Sequence, residues 1–279
     1  MLDSQQLADF ERDGFLILET FVSHKDCDSL LARTAELVTN FEPPGQKSVF
    51  STTEQEQTSD QYFLESGDKI RFFFEKDAFG ADGALRQGKA HSLNKIGHAL
   101  HDLDPVFDAF SRQPGLAELA IDAGLAEPLL LQSMLIFKPP KIGGEVVWHQ
   151  DATFLHTEPS RVLGMWFALE DASRENGCLW GLPGGHLRGL KSRFLRTPSG
   201  GTKMHTSDST PWRDVEFVPL EVARGALILL DGLLPHGSAA NRSVSSRHAY
   251  SLHVIDGTCR YLPENWLQRR SNMPLRGFN

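Results

Sequence analysis

The sequence is organised around one short stretch, Gly143-Gly144-Glu145-Val146-Val147-Trp148-His149-Gln150-Asp151. Its residue pattern is typical of a β-strand that ends close to His149. Residues two apart in a strand point to the same face, so His149 and Asp151 can both turn toward one point inside a sheet or barrel. An imidazole and a carboxylate placed in this way are candidate metal ligands, but two ligands do not make a site.

Histidine followed two residues later by an acid is a weak signal by itself. Chance alone would place about one such triplet in a chain with 11 His and 36 acidic residues. A second triplet, His24 and Asp26, follows Ser23, which is suited to cap a helix, so we expect Asp26 to be an acid in the first turn of that helix.

A third triplet, His156 and Glu158, lies close enough to Asp151 to compete as a source of metal ligands. Pro159 follows it and indicates that the chain is leaving a strand, so we do not expect a metal bond from His156. A contact of His156 with the substrate or with a metal ligand stays open, as it does for Gln150.

Composition limits the classes of partner. The formal net charge is −8 and there are no blocks of Lys and Arg, whereas nucleic acids and anionic membranes require a basic surface. Cys27, Cys178 and Cys259 form no C-x-x-C pair, so neither a disulfide framework nor a thiolate metal site is indicated. The polar start of the chain does not resemble a signal peptide. We therefore expect a cytoplasmic protein with a small-molecule substrate, and neither a nucleic acid nor a membrane as partner.

The first 127 residues are predicted to be mainly helical. The predicted elements are a helix ending near Asp13-Gly14, a strand at 15–18, a helix from 23 to about 41, a strand at 68–75, a helix at 95–103, and a helix capped by Asp104 with Pro105 in its first turn. Residues 42–60 have no periodicity and predict a long loop, for which a substrate lid is one candidate role.

The residue pattern of the sequence changes at Pro128. Short β-branched and apolar runs at 129–138, 161–169, 178–182, 216–220, 226–230 and 248–255 alternate with turn clusters, and a long polar insertion is predicted at 189–214. Strands at this spacing predict an antiparallel sandwich or jelly roll. We expect one domain over 1–279, with a helical N-terminal part (about 1–127), a jelly-roll core (about 128–258) and a tail (259–279).

Support for a metal site comes from two residues in the second half of the chain. His236 follows the strand predicted at 226–230, and Arg247 lies at the start of the next one. Two His and one carboxylate form the facial triad typical of non-haem Fe(II) oxygenases, which leaves metal positions open. A 2-oxo acid and O₂ can take those positions, and Arg247 could bind the far carboxylate of 2-oxoglutarate in bidentate fashion. His253, on the same strand face, is expected to be a hydrogen-bonded core histidine.

The chain resembles the phytanoyl-CoA dioxygenase family of Fe(II)/2-oxoglutarate oxygenases over nearly its whole length. The resemblance is carried by Ser66-Gly67-Asp68-Lys69-Ile70-Arg71-Phe72-Phe73-Phe74-Glu75-Lys76, Asn94-Lys95-Ile96-Gly97-His98-Ala99-Leu100-His101, Gly143-Gly144-Glu145, His149-Gln150-Asp151 and Glu175-Asn176-Gly177-Cys178-Leu179-Trp180. It implies a mainly β double-stranded β-helix, a cupin-like jelly roll with flanking N-terminal α-helices.

Residue roles follow from the resemblance position by position. It implies His149, Asp151 and His236 as Fe(II) ligands and Arg247 as the anchor of the co-substrate 2-oxoglutarate. Around that co-substrate it further implies Lys95, Met134, Trp166 and Ser238. The expected activity is hydroxylation of a small organic or lipid-like substrate by O₂, with release of succinate and CO₂.

Two positions bear on how far the family's chemistry carries over. Gly185 stands where the family usually has Ser, which predicts a hydroxyl missing near the site entrance. Asp151 is retained, whereas related halogenases have a small residue there, so the resemblance favours hydroxylation over halogenation.

Other classes of function stay open at this stage. A jelly roll that binds metal and 2-oxoglutarate without turnover, as a sensor or scaffold, would carry the same residues, because ligands can outlive activity. Zinc hydrolase chemistry fits less well, since it also needs a general base beside the metal-bound water and would leave Arg247 without a role.

Overall fold

Strands outnumber helices in the part of the chain that the computed structural model describes, residues 1–42, 48–50 and 61–279. The helices are α1 (Ser4–Asp13), α2 (His24–Asn40), α3 (Gln61–Leu64), α4 (Leu100–Leu103), α5 (Pro105–Ser111) and α6 (Pro114–Asp122). The strands are β1 (Phe15–Leu18), β2 (Ile70–Phe74), β3 (Leu93–His98), β4 (Pro128–Ile136), β5 (Val146–His149), β6 (Thr157–Glu158), β7 (Val162–Ala168), β8 (Leu179–Gly181), β9 (Ser192–Arg196), β10 (Thr202–Thr206), β11 (Val218–Leu220), β12 (Leu227–Asp231), β13 (His236–Ser238), β14 (Ala249–Asp256) and β15 (Arg260–Tyr261).

Two antiparallel sheets form the centre of the fold. The larger one has the strand order β1-β12-β7-β14-β4-β3-β2, and the smaller one has the order β11-β8-β13-β5. Apart from β2, β3 and β4, which are consecutive, neighbours in each order are far apart in sequence, as in a jelly roll, where the chain crosses repeatedly between two sheets. The fold is therefore the mainly β double-stranded β-helix that was expected, with helices flanking it. Strands β1, β2 and β3 from the N-terminal part complete the larger sheet.

Strand β14 shows how the core and the site share one sheet. Tyr250, Leu252 and Val254 face the packed apolar core with residues of α2, α5 and α6. The intervening Ser251 and His253 line a cavity on the opposite face. The alternation of a strand thus directs apolar side chains to one layer and polar side chains to the other.

The helix ends agree with the signals in the sequence. Asp3 and Gln6 form a capping box at the start of α1, and the helix stops at Gly14, whose φ of 79° is left-handed. The side chain of Ser23 caps α2, and that of Asp104 caps α5 with Pro105 in its first turn. Within the described residues, no helix combines the length and apolar character needed to cross a membrane.

The six strands predicted after residue 128 are all present, but one predicted helix was wrong and one hairpin was not predicted. The predicted helix at 95–103 is β3 followed by the short α4, because β3 pairs with both β2 and β4 and its backbone hydrogen bonds go to them. The polar insertion at 189–214 contains the hairpin of β9 and β10. Charged residues in both strands obscure the alternation of apolar and polar side chains by which strands are recognised. The loop predicted at 42–60 lies almost wholly outside the described residues.

The C-terminal tail is joined to the core by a cluster of charges at Asp102. The carboxylate of Asp102 is 4% exposed, lies 2.6 Å from Arg112 and 2.7 Å from Arg276, and also contacts Arg269. Burial opposes its ionisation, but the contacts with His101 and the arginines hold the pKa of Asp102 well below its usual value. The cluster stabilises the fold at neutral pH.

Asp102→Asn is expected to lower the free energy of unfolding by about 3–5 kcal/mol, because it leaves the buried Arg269 without an acid and the buried Arg112 with only the more exposed Asp108. Since the pKa of Asp102 is depressed, its contribution is present at neutral pH and is lost as the pH falls below about 3.8, where the unfolded carboxyl titrates. Urea unfolding measures the loss. Asp108→Asn is the control, because Asp108 also contacts Arg112 and Arg276 but is 38% exposed, and it should cost at most about 1 kcal/mol. Equal losses in both variants would contradict the prediction.

Candidate metal centre

Two histidines face each other across neighbouring strands of the smaller sheet. His149 ends β5 and His236 begins β13, and the pairing of the strands places them directly opposite one another. Their ring centroids are 4.3 Å apart. The sheet therefore brings together two residues that are separated by most of the core sequence.

The ring orientation of both histidines is set by the backbone. His149 Nδ1 lies 2.9 Å from the carbonyl oxygen of Val147, and His236 Nδ1 lies 3.0 Å from that of Leu234. A carbonyl can only accept a hydrogen bond, so each Nδ1 carries the proton and each Nε2 keeps a lone pair. This is the tautomer that a metal ligand requires.

Asp151 completes the group from a 3₁₀ turn, Asp151–Thr153, that follows β5. Its Oδ1 lies 3.7 Å from Nε2 of His149 and 3.7 Å from Nε2 of His236. The three ligand atoms lie within 4.8 Å of one another, and among the described residues this is the one such cluster of three. Two imidazole nitrogens and one carboxylate fit Fe(II), while the absence of a thiolate argues against a structural zinc site.

Burial sets the charge of the cluster. Burial, together with the neighbouring His149, lowers the pKa of His236 to about 4, so its imidazole is neutral at pH 7. Burial would raise the pKa of Asp151, but His253 and His236 hold it well below its usual value. At neutral pH the cluster thus offers a carboxylate and an available imidazole lone pair to a cation.

His253 contacts the other oxygen of Asp151. Its Nε2 lies 3.2 Å from Asp151 Oδ2. It is 5% exposed and stands outside the cluster of three, so it is buried as expected, but the predicted hydrogen bond is not formed: neither its Nδ1 nor Asp151 Oδ2 has a hydrogen-bond partner among the described residues.

Gln150 and His156 do not line the cavity. The Gln150 amide donates to the carbonyls of Gly189 and Leu233 and accepts from the backbone of Lys191. Its hydrogen bonds thus join the segment between His149 and Asp151 to two other loops. His156 Nε2 lies 3.9 Å from Glu158 rather than near the cluster. Neither geometry suggests a direct contact with a substrate.

A cavity of about 360 Å³ opens beside the cluster between the two sheets. Its polar lining includes Lys138 and Ser238, which are hydrogen-bonded to each other, Arg247, and Lys95, which lies against the rings of Phe50 and Phe63. Much of the remaining wall is aromatic and apolar, with Phe63, Trp148, Phe154, Leu155, Phe194, Met204, Trp212 and Trp266. The cavity thus combines charged and apolar lining with the histidine and aspartate cluster.

Arg247 is a buried cation, and the described acids that influence it, Glu170 and Glu75, are too far away to form ion pairs with it. It is 1% exposed, and burial lowers its pKa only to about 10, so it stays charged at pH 7. Its Nε donates to the carbonyl of Gly177 at 3.0 Å, its guanidinium lies 5.1 Å from the Trp166 ring centroid, and one terminal nitrogen has no partner. Within the described residues it forms no ion pair. An unpaired buried charge is costly, so this geometry fits an anionic ligand.

Ser238 and Lys138 also line the cavity. Lys138 Nζ donates to Ser238 Oγ at 2.8 Å and to the carbonyl of Gly144 at 2.6 Å. Because Ser238 Oγ accepts from Lys138, its own proton is available to a ligand. Lys138 was not predicted from the sequence. Its position, two residues beyond Ile136 on the same side as Met134, nevertheless indicates a side chain that faces the cavity.

The remaining predicted residues are also on the cavity wall. Trp166, Ser251 and Met134 lie opposite one another in a row across β7, β14 and β4. Lys95 Nζ lies 3.3 Å from the ring centroid of Phe50, and burial lowers the pKa of Lys95 to about 7. Gly185 is not among the residues that line the cavity, and a Cβ on Gly185 would lie 2.6 Å from Pro235, so the missing hydroxyl at the entrance stays a prediction.

Comparisons with known proteins give consistent results. The family model described as phytanoyl-CoA dioxygenase (PhyH) matches residues 10–249. The chain is 46% identical over 274 residues to a phytanoyl-CoA dioxygenase of Arabidopsis thaliana, covering 98% of this chain and 95% of the plant protein. It is 48% identical over 285 residues to phytanoyl-CoA dioxygenase domain-containing protein 1 of Bos taurus, with 98% and 97% covered.

Similarity to solved structures supports the fold. The epimerase SnoN, in complex with Fe³⁺, alpha ketoglutarate and nogalamycin RO, superposes with a TM-score of 0.63 at 17% identity. The match covers 93% of this chain and 85% of SnoN.

Proposed function

This chain belongs to the phytanoyl-CoA dioxygenase family, and from that premise we propose that it is an Fe(II)- and 2-oxoglutarate-dependent dioxygenase that hydroxylates a small organic or lipid-like substrate. One observation carries the proposal. The cluster of His149, Asp151 and His236 lines the same cavity as Arg247, a buried cation without an acidic partner among the described residues. A metal and a dicarboxylate would each complete one of these two incomplete sites.

In this proposal His149, Asp151 and His236 hold the metal. When bound, Fe(II) supplies the activation of O₂, coupled to the decarboxylation of 2-oxoglutarate to succinate and CO₂, with one oxygen atom entering succinate and the other the substrate C–H bond. The protein contributes fixed ligands and a largely water-excluding site.

Arg247 would neutralise the carboxylate of 2-oxoglutarate that lies away from the metal, and the Ser238 hydroxyl would donate to it. Lys138 orients that hydroxyl through the 2.8 Å bond to Oγ. Lys95, Met134 and Trp166 line the same cavity, where they are proposed to contact the co-substrate.

The aromatic wall supports an apolar substrate group near the metal. Phe154 packs edge-on against the ligand His149, with ring centroids 5.9 Å apart, and Phe194 from the hairpin of β9 and β10 lies 5.6 Å from Phe154. Apolar walls bind by removing apolar surface from water. A lipid-like substrate suits this wall.

The direct test is anaerobic reconstitution with Fe(II) and 2-oxoglutarate. We expect a visible metal-to-ligand charge-transfer band, and succinate after O₂ is admitted. Absence of both the band and 2-oxoglutarate binding would contradict the proposal. A band without succinate, even across a panel of apolar substrates, would instead favour a protein that binds metal and 2-oxoglutarate without turnover.

Phe194→Ala is expected to weaken binding of a neutral apolar probe, N-phenyl-1-naphthylamine, to the anaerobic Fe(II)/2-oxoglutarate complex by about tenfold or more, because burying a Phe side chain is worth about 1.5–3 kcal/mol. Fluorescence titration measures this effect. The charge-transfer band should be unchanged, since Phe194 lies on the apolar wall. Leu187→Ala, at a leucine that is 73% exposed, should leave both readouts unchanged. Undiminished probe binding in Phe194→Ala would show that the probe binds elsewhere.

A further inference from the structure

The two oxygens of the Asp151 carboxylate have different neighbours. Oδ1 lies 3.7 Å from Nε2 of both proposed histidine ligands, whereas Oδ2 lies 3.2 Å from Nε2 of His253. The angle of this contact is too poor for a hydrogen bond, and Asp151 Oδ2 has no hydrogen-bond partner among the described residues, so His253 Nε2 is the polar atom placed to donate to it. One oxygen is thus directed to the cluster and the other to His253.

The backbone of His253 is paired with a neighbouring strand on each side, next to a β-bulge between His253 and Val254. On β14, His253 is paired with Gly164 of β7 on one side and with Gln132 of β4 on the other. It is 5% exposed, and its Nδ1 is buried with no hydrogen-bond partner among the described residues. Among the described residues, the polar contact of its imidazole is the one with Asp151.

Gly164 leaves room for Asp151 Oδ2. A Cβ on Gly164 would lie 3.0 Å from that oxygen and 3.3 Å from Leu230 Cβ, so any larger residue would crowd the carboxylate. His253 and Gly164 thus both lie beside Oδ2 of Asp151.

We propose that His253 is a positioning residue that holds Asp151 Oδ2 and leaves Oδ1 alone to face the metal. The inference rests on the proposed function. A carboxylate offering both oxygens would take a metal position that the 2-oxo acid or O₂ needs, and a freely rotating one would bind the metal less well. Partners of this kind, which orient a ligand without touching the metal, affect metal affinity by about 10–100-fold.

The test compares His253→Leu, which removes the donor and keeps much of the volume, with His253→Gln, which restores an N–H donor. Fe(II) affinity is measured by anaerobic calorimetry on the full chain, and the charge-transfer band is recorded after 2-oxoglutarate is added. We expect His253→Leu to weaken Fe(II) binding by about 10–100-fold and to shift the band, and His253→Gln to recover most of the affinity. Gly164→Ala should also weaken Fe(II) binding, through the other side of the same oxygen.

His248→Leu is the matched control. His248 immediately precedes β14 and makes a similar contact, with its Nδ1 2.9 Å from Glu170 Oε2, but it does not line the cavity. It should keep the wild-type Fe(II) affinity. Thermal melting checks that each variant folds. If His253→Leu fails to fold, Gly164→Ala provides the test.

Two results would overturn the inference while leaving the proposed function intact. One is wild-type Fe(II) affinity in His253→Leu or, if that variant fails to fold, in Gly164→Ala. The other is a loss in His253→Gln as large as that in His253→Leu, which would indicate simple packing. Failure of the wild-type protein to bind Fe(II) would instead overturn the proposed function itself.

Discussion

Replacing His236 with alanine is expected to lower Fe(II) affinity by at least about a hundredfold and to abolish oxygen-dependent succinate formation. Removal of a partner that merely orients a ligand costs about 10–100-fold, so removal of the ligand itself should cost more. The Nε2 of His236 is one of three atoms converging on a single point, and two ligands cannot fix a metal in the same way. Anaerobic calorimetry and the charge-transfer band measure the loss.

His156→Ala is the control for this variant. His156 belongs to a His-x-acid triplet near Asp151, yet its Nε2 lies near Glu158 and outside the cluster. Its substitution should leave Fe(II) affinity unchanged. If His236→Ala kept the band while His156→Ala lost it, the site would be misassigned.

Arg247→Met is expected to raise the Kd for 2-oxoglutarate by roughly 30-fold to several thousandfold, because truncating one partner of a buried charge pair costs about 2–5 kcal/mol. Fe(II) affinity should be unchanged, since Arg247 does not contact the cluster. The binding of 2-oxobutyrate, which lacks the second carboxylate, should also be unchanged. Titration of the charge-transfer band with each 2-oxo acid measures both affinities.

Arg174→Met is a close control, because Arg174 also lies over a tryptophan, with its guanidinium 5.8 Å from the Trp180 ring, but is 62% exposed. It should bind both 2-oxo acids as the wild type does. Arg247→Lys should recover only part of the affinity, since an ammonium cannot reproduce the planar fork of a guanidinium. Equal weakening for both 2-oxo acids in Arg247→Met would point to a collapsed cavity instead of a lost carboxylate contact.

The sequence could predict the cluster of His149, Asp151 and His236 because its members are metal-binding residue types that end or follow strands. It could not show that His149 and His236 are cross-strand partners, since pairing between β5 and β13 depends on hydrogen bonds between distant segments. The two-residue spacing of His149 and Asp151 suggested a shared strand face. Asp151 instead reaches the cluster from a 3₁₀ turn.

Lys95 shows a different limit of sequence reasoning. It lines the cavity, as expected, but from β3 and not from the predicted helix. Local spacing could not reveal that β3 lies between two partner strands, which determines its conformation. His253 was assigned correctly to a polar strand face, whereas its contact with Asp151 depends on the three-dimensional path of the turn that carries the acid.

The pairing of β5 with β13 also bears on how the metal and the fold are thermodynamically linked. In a zinc finger the ligands meet only when the metal is present, so metal binding and folding are one event. Here backbone hydrogen bonds between strands already bring His149 and His236 together. We therefore expect a chelator to remove the ion without unfolding the chain. Metal would stabilise the native state only by mass action, by about 2.7 kcal/mol at a free concentration one hundred times the Kd.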